Sequence, residues 1–474
     1  MNKRRILERA AIAAAIIVSI GMSGCSAADQ SDVTDDSTIE VTDTISEFGE
    51  TTVSTANETS GTAGTSIVGA NDSETTTVLS SETIESSTET EMSKSDGGFN
   101  VSVQETTVTT TTPPPETYVP ETEPPIQQMT APEVPIGEPI DNKYAYNTLS
   151  AREQELYDSI YGAMMRLEPT VDIATNNYTE DEWTKVFSDV YYQETHLFWV
   201  DPYLIPGEIY YKTTNTEEIE AMKKEIDNTA ATIINGAAEY ATEIDRVKYI
   251  HDYLVSINDF EKGGGGSYSP TIYGGLVLGH PQCEGYAKTF AYICNKLGME
   301  TIVMTGNVAS GASHAWNKIK VGGNWYNIDL TNDDPILQTP SSKYIRHNFF
   351  MVPDAWIENV SHFRFNLSQM YSGVELFKAP TATSSDYYFF NYYDKAYSGY
   401  NSAYNELLNR VVNGVNNRES LVQIRALNYD TYNQLKNNLV ALKDDAKVTT
   451  GGPWKRIAAA SDDNLYIISI SFEY

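Results

Sequence analysis

Cysteine is nearly absent from this chain, with three in 474 residues. That excludes a disulfide-stapled scaffold and a four-cysteine zinc site, and each cysteine has to be accounted for singly. Basic charge is also scarce: 32 Lys and Arg stand against 65 Asp and Glu, for a net charge of −33. Without a basic stripe to neutralise phosphates, nucleic acid is not expected as a partner. Long apolar runs are missing as well, since the one from Ala10 to Ile20 is too short to span a bilayer.

That short run does have a reading. It follows Lys3, Arg4 and Arg5 and ends in small residues, as a signal peptide does. Met22-Ser23-Gly24-Cys25 then has the form of a bacterial lipobox, so residues 1–25 are expected to be a lipoprotein signal with Cys25 as the lipidated anchor. Residues 26–140 are Ser, Thr, Glu, Asp and Pro, and roughly twenty units of the negative charge fall here, with Lys94 the only basic side chain. Such a segment cannot bury enough apolar surface to offset its ordering entropy, so it is expected to be a disordered linker. As a flexible coil its ends would lie on the order of 60 Å apart. It would hold a head away from a membrane, and it would also solubilise.

Order is expected from about Tyr144. Ser150 followed by Glu153 is a capping box, which with Leu156, Ile160 and Met164 predicts a helix over 151–167. Periodicity predicts further helices over 217–234 and 243–255, and an aromatic connector passes through Tyr191, Tyr192 and Phe198-Trp199-Val200. His251, on the third helix, reads as structural. The glycines 263–266 form a loop. A helix over 283–297 carries Ala287, Phe290, Cys294 and Leu297 at core spacing. Cys283 and Cys294 on one helix would be roughly 16 Å apart, so no disulfide is expected, and Cys294 reads as core. Strands are predicted over 302–306, 313–321, 324–330 and 348–352. A tyrosine-rich run from Tyr387 to Tyr393 leads into an alternation of helix (403–415), strand (421–426), helix (429–442) and strand (465–472), a small α+β unit.

The chemistry concentrates between Gly279 and Pro335. Gly322-Gly323 is a two-residue hairpin turn, which pairs Val321 with Asn324 and makes facing positions sum to 645. His314 and Trp316 share a face by the period of two, and Asp329 falls on that face one diagonal step from His314. A carboxylate there fixes the imidazole tautomer and leaves the second ring nitrogen for a thiol. Cys283 opens a helix, where unpaired amides and the positive dipole end favour thiolate. Its own amide can help to hold an oxyanion.

Gln282-Cys283-Glu284-Gly285-Tyr286-Ala287, His314-Ala315-Trp316-Asn317 and Trp325-Tyr326-Asn327-Ile328-Asp329-Leu330-Thr331 together resemble the transglutaminase-like superfamily, with its papain-like Cys-His-Asp triad. The resemblance implies an α+β fold: a transglutaminase-like core over 141–375 with N-terminal helices, followed by a small α+β appendage over 376–474. It also implies Cys283 as nucleophile, His314 as general base and acid, and Asp329 as the residue that orients it. Gln282, Trp316 and Tyr273 are the expected substrate-binding neighbours. Two departures stand out: Asn332 sits where many bacterial members have Trp, and Glu284 where animal transglutaminases have Trp. Asp333 and Asp334 read as a turn rather than a calcium site; no metal and no cofactor are expected.

The expected protein is thus a lipid-anchored, extracytoplasmic thiol enzyme, a monomer, that forms an acyl-enzyme on a protein or peptide, cell-wall peptide included. An amine or water would resolve it. The alternative is an inactive surface-binding protein that uses the tyrosine-rich C-terminal region.

Overall fold

The computed structural model describes residues 39–41, 143–261, 266–307, 312–334, 344–359, 370–371 and 374–474. The signal segment, Cys25, most of the linker and the Gly263–Gly265 part of the glycine loop lie outside these. One short piece of the linker is inside: β1 (Ile39–Val41), two β-branched residues around Glu40, pairs antiparallel with the Ile457–Ala459 stretch as an edge strand. Among the described residues no helix is long and apolar enough to cross a membrane.

Among the described residues, five helices precede the candidate site: α1 (Tyr144–Thr148), α2 (Ala151–Arg166), α3 (Glu180–Gln193), α4 (Thr216–Ala238) and α5 (Glu243–Ile257). The short pair β2 (Val200–Asp201) and β3 (Tyr210–Tyr211) lies between α3 and α4. The starts of these helices are chemically written. Ser150 and Glu153 form the capping box read from sequence, Thr179 and Glu182 form a second one, and Asn215 and Thr242 cap α4 and α5. The second box opens α3, which buries Trp183, Phe187 and Tyr191, so the Tyr191-Tyr192 part of the expected aromatic connector is helical, while Phe198-Trp199-Val200 follow it and lead into β2.

A π-helical turn over Gly274–Leu278 leads to α6 (Cys283–Lys296) and then to β4 (Thr301–Asn307), β5 (Ser313–Val321) and β6 (Asn324–Ile328). These strands form an antiparallel sheet with β5 in the centre. The predicted register holds from Val321↔Asn324 to Asn317↔Ile328, and Gly322 and Gly323 take the positive φ values, 57° and 85°, that a two-residue turn of this twist requires. One sheet face packs on α6 through Ala315, Ile319, Phe290 and Cys294. The other carries Ile302, Met304 and Trp316 into a separate apolar layer with Phe377, Tyr388, Phe390 and Ile467.

After β6 come α7 (Leu330–Asp333), α8 (Asp354–Asn359) and the pair β7 (Met370–Tyr371) and β8 (Val374–Glu375). The strand expected over 348–352 is instead a turn with a single bridge, Asn327↔Val352. Met351 there has φ 61°, which breaks an extended run. The C-terminal part is α9 (Phe389–Tyr392), β9 (Ala396–Tyr397), α10 (Tyr400–Asn417), β10 (Leu421–Ala426), α11 (Tyr429–Asn437), α12 (Leu439–Thr450), β11 (Arg456–Asp462) and β12 (Ile467–Glu473). The helix expected over 429–442 is two helices. A strand that was not expected, β11, completes the sheet in the order β1-β11-β12-β10-β9. The architecture is α+β, as expected.

Candidate active site

The site begins with the way α6 is started. Gln282 occupies the N-cap position with extended backbone, but its side chain makes no cap hydrogen bond. The first-turn amides and the positive end of the helix therefore remain directed at Cys283, the first helical residue. The approach is fixed by backbone bonds from Gln282 N to Ser269 O at 3.0 Å, Glu261 N to Pro281 O at 3.1 Å and Asp259 N to Gly279 O at 2.9 Å. Gly285 is required here: a Cβ would lie 2.2 Å from the Ser269 carbonyl oxygen. The negative charge of Glu284, next to the candidate thiol, is countered by Lys288 one turn on, at 2.8 Å. Lys288 is itself buried and lies 3.4 Å from the centre of the Tyr191 ring. Burial lowers its pKa, against the attraction of Glu284.

The second part is a buried imidazole and its carboxylate. His314 Nε2 lies 2.8 Å from Asp329 Oδ2, and the two side chains are almost fully enclosed. Asp329 ends the extended run of β6 and caps α7, accepting the Asn332 backbone N–H at 3.2 Å through Oδ1. Its Oδ2 also accepts from Asn332 Nδ2 at 2.6 Å. With Nε2 turned to the carboxylate, Nδ1 is the ring nitrogen left to exchange a proton with a nucleophile. Trp316 lies nearly parallel to the imidazole, ring centres 6.3 Å apart, and its indole donates to Asn327 Oδ1 at 3.0 Å.

Three cross-links align these parts. Asn317 on β5 donates to Ala287 O on α6 at 2.9 Å, and Asn295 near the end of α6 binds Thr301, which pairs with Ile319. The helix and the strand thus run in the same direction, so the Cys283 end of α6 lies at the His314 end of β5. Tyr286, in the first turn after Cys283, donates its hydroxyl to Asp334 just past α7. On its other side α7 is held by Asp333, whose Oδ2 lies 3.2 Å from His251 Nε2 and whose Oδ1 accepts the Phe349 N–H at 3.0 Å. Asp333 and Asp334 are therefore buried fasteners at the end of α7, where sequence read a turn. Sequence spacing did not point to Tyr286, Asp334 or Asp333. Asn332, a departure from the pattern of many bacterial members, is a direct neighbour of Asp329 and His314.

Gln282 adjoins Cys283 and is 9% exposed. Trp316 is 1% exposed and backs the imidazole, so it presents no surface to a substrate in this structure. Tyr273 is half-buried against Phe198 and donates to Glu225 at 2.6 Å, an arrangement that supports α4. Within the tyrosine-rich run, Tyr388 and Phe390 are completely buried, so much of it is packing. His251 is enclosed as expected, but it does have a sequence-near carboxylate partner, Asp252, at 2.8 Å from Nδ1.

The cysteine expectation needs one correction. Cys294 is free and buried, and burial pushes its thiol pKa up, which makes it inert. Cys283, however, is in a disulfide whose other sulfur lies outside the described residues. The helix geometry excluded only the Cys283–Cys294 pairing. A disulfide sulfur is not a nucleophile, so thiol chemistry at Cys283 needs that bond to be reduced or never to form.

No curated protein sequence matches the chain. Two solved structures share a local likeness: a TGase, 20% identical over 28% of this chain with a TM-score of 0.23, and a candidate cysteine protease from Cytophaga hutchinsonii, 18% identical over 22% with a TM-score of 0.21. The chain spans 37% of the length of each. A family model matches residues 228–330, a stretch that contains Cys283, His314 and Asp329. The family that this model describes is the transglutaminase-like superfamily, and residues 228–330 are the part of the chain that is similar to it.

Proposed function

We propose that the chain is a thiol enzyme that forms an acyl-enzyme on Cys283 from a glutamine side-chain amide or a peptide amide. The observation that carries this reading is the enclosed His314–Asp329 pair, in which Nε2 faces the carboxylate at 2.8 Å and the imidazole stands at the end of β5 that runs beside the start of α6. Catalysis requires the reduced Cys283 sulfur within hydrogen-bond reach of Nδ1. The thiolate attacks the carbonyl carbon, first-turn amides of α6 receive the oxyanion, and His314 passes its proton to the departing amine. A thioester remains, which water or a second amine cleaves, returning the proton through His314. Asp329 keeps the ring in place and stabilises the imidazolium.

Cys25 is the proposed lipid anchor, which places the enzyme on the outer side of a membrane with protein or cell-wall peptide as substrate. Binding through the C-terminal tyrosines is not favoured, because Tyr388 and Phe390 belong to an apolar layer and not to a surface. The test offers a glutamine-containing protein and a fluorescent primary amine to the reduced enzyme, and follows both amine incorporation and peptide or ammonia release. Activity that disappears in Cys283→Ala supports the reading. If a broad substrate panel gives neither product, or if Cys283→Ala behaves like the parent, the reading fails.

A further inference from the structure

Around Asp333 of α7, four ionisable side chains from three separate stretches of sequence converge. His251 and Asp252 come from α5, His347 from the segment preceding the Phe349–Met351 turn, and Asp333 from α7. Asp252 Oδ1 lies 2.8 Å from His251 Nδ1 and 2.8 Å from His347 Nε2. The three donor atoms all lie within 4.8 Å of one another. Around a tetrahedral zinc ion with bonds of about 2.0 Å, donor atoms are about 3.3 Å apart, so small side-chain movements suffice to admit an ion among them.

Two further features match what a metal centre needs. The far nitrogen of His251, Nε2, is turned to Asp333 Oδ2 at 3.2 Å. A carboxylate there accepts the remaining ring N–H, fixes the tautomer and directs the Nδ1 lone pair to an ion, an arrangement that accompanies most histidine ligands. The second feature is the wall. His347 stacks on Phe389 with ring centres 4.0 Å apart, and Phe350 meets both imidazoles edge-on at 5.3 and 5.9 Å. These rings shield one side from water, while the Asp252 side chain keeps 24% exposure and gives an ion its route inward. Lys248 holds the other oxygen, Asp252 Oδ2, at 2.5 Å, which leaves Oδ1 for the imidazoles and whatever joins them.

We propose that His251 Nδ1, Asp252 Oδ1 and His347 Nε2 bind one divalent transition-metal ion, zinc being the best match, with Asp333 as the carboxylate that orients His251. Two imidazoles and one carboxylate suit zinc rather than calcium or magnesium, which take oxygen ligands in larger number. The ion clamps α5 to the 344–350 segment, and through Asp333 it steadies the helix that Asp329 caps. The site is a structural clamp, independent of whether Cys283 is a nucleophile.

The full chain carrying Cys25→Ser and Cys283→Ala, which removes competing sulfur, is stripped with a chelator and dialysed against micromolar Zn2+. Bound metal is then counted by mass spectrometry, and Co2+ in place of Zn2+ gives a visible absorption band as a second readout. One equivalent is expected. His347→Ala and the isosteric Asp252→Asn should each weaken binding at least 100-fold, and Asp333→Asn by about 10- to 100-fold. His196→Ala, at a partly exposed histidine elsewhere, should change nothing. Near-UV circular dichroism reports whether each variant folds, and Asp252→Asn decides if His347→Ala does not. Substoichiometric binding to the parent, or one equivalent that survives in a folded Asp252→Asn, overturns the proposal.

Discussion

Asp329→Asn is the most informative single substitution, because the structure assigns three donors to two oxygens. Oδ1 accepts the Asn332 N–H, while Oδ2 accepts from His314 Nε2 and from Asn332 Nδ2. An asparagine offers only one acceptor atom. If its NH2 faces the Asn332 amide, the N-cap of α7 is lost, which costs about 1 kcal/mol. If the NH2 faces His314, two hydrogen bonds become donor-to-donor contacts in a buried place, which costs more. The variant should take the first orientation, fold with a stability loss of about 1–2 kcal/mol, and keep the imidazole near its position. What it cannot keep is the negative charge that stabilises an imidazolium. By analogy with the orienting carboxylate of serine hydrolases, turnover should fall by about 10^2 to 10^4, or about 2.7–5.5 kcal/mol in activation free energy. The assay is the iodoacetamide alkylation rate of reduced Cys283 against pH, beside amine incorporation. In the parent the rate should already be high at pH 6. In Asp329→Asn it should climb only towards the ordinary thiol range near pH 8.5. Identical pH profiles for the two proteins would refute the idea that Asp329 tunes the site through His314.

Four other outcomes are expected. Gly285→Ala pushes a methyl group into the Ser269 carbonyl at 2.2 Å and towards Pro281 Cβ at 2.9 Å, so it should cost about 3 kcal/mol in urea unfolding and slow Cys283 alkylation; a neutral result would mean that this approach to α6 is loose. The His251 imidazole, lowered by burial but raised more by its hydrogen bonds to Asp252 and Asp333, reaches about 9 from an ordinary 6.5. The folded state then holds the proton longer than the unfolded one, so this stability is complete below about pH 6.5 and lost as pH rises through 9. Melting temperature should fall between pH 7 and 9.5, and fall less in Asp333→Asn; a flat parent profile contradicts the reading. On the acid side, burial brings His347 down to about 4, so stability falls as pH drops from 6.5 towards 4, partly offset by Asp333, which burial raises to about 6. Finally, a lipid thioether at Cys25 removes that sulfur from disulfide exchange, and Cys294 is buried, so membrane-isolated protein should alkylate at Cys283 without a reductant. An unmodified Cys25 on mass spectrometry would remove the proposed anchor.

Local chemistry determined a good deal of this protein before any fold was known. The Ser150 capping box, the Gly322-Gly323 turn and the spacing of the Cys283 helix are short-range devices whose consequences extend only a few residues, so sequence shows them directly. The hairpin even set the register that brings His314 to Asp329, because a two-residue turn leaves one pairing. The Thr179 capping box was equally legible, and the aromatic residues that follow it obscured a helix. What only tertiary structure decided are the long-range fasteners: Tyr286 to Asp334 across 48 residues, His251 to Asp333 across 82, and His347 to Asp252 across 95. No periodicity connects such positions. Packing alone decides which buried carboxylate meets which imidazole, since each buried charge must find a partner among the side chains that the fold brings near. Trp316 shows the same limit in reverse, for its motif neighbours suggested a substrate contact and the sheet enclosed it behind His314.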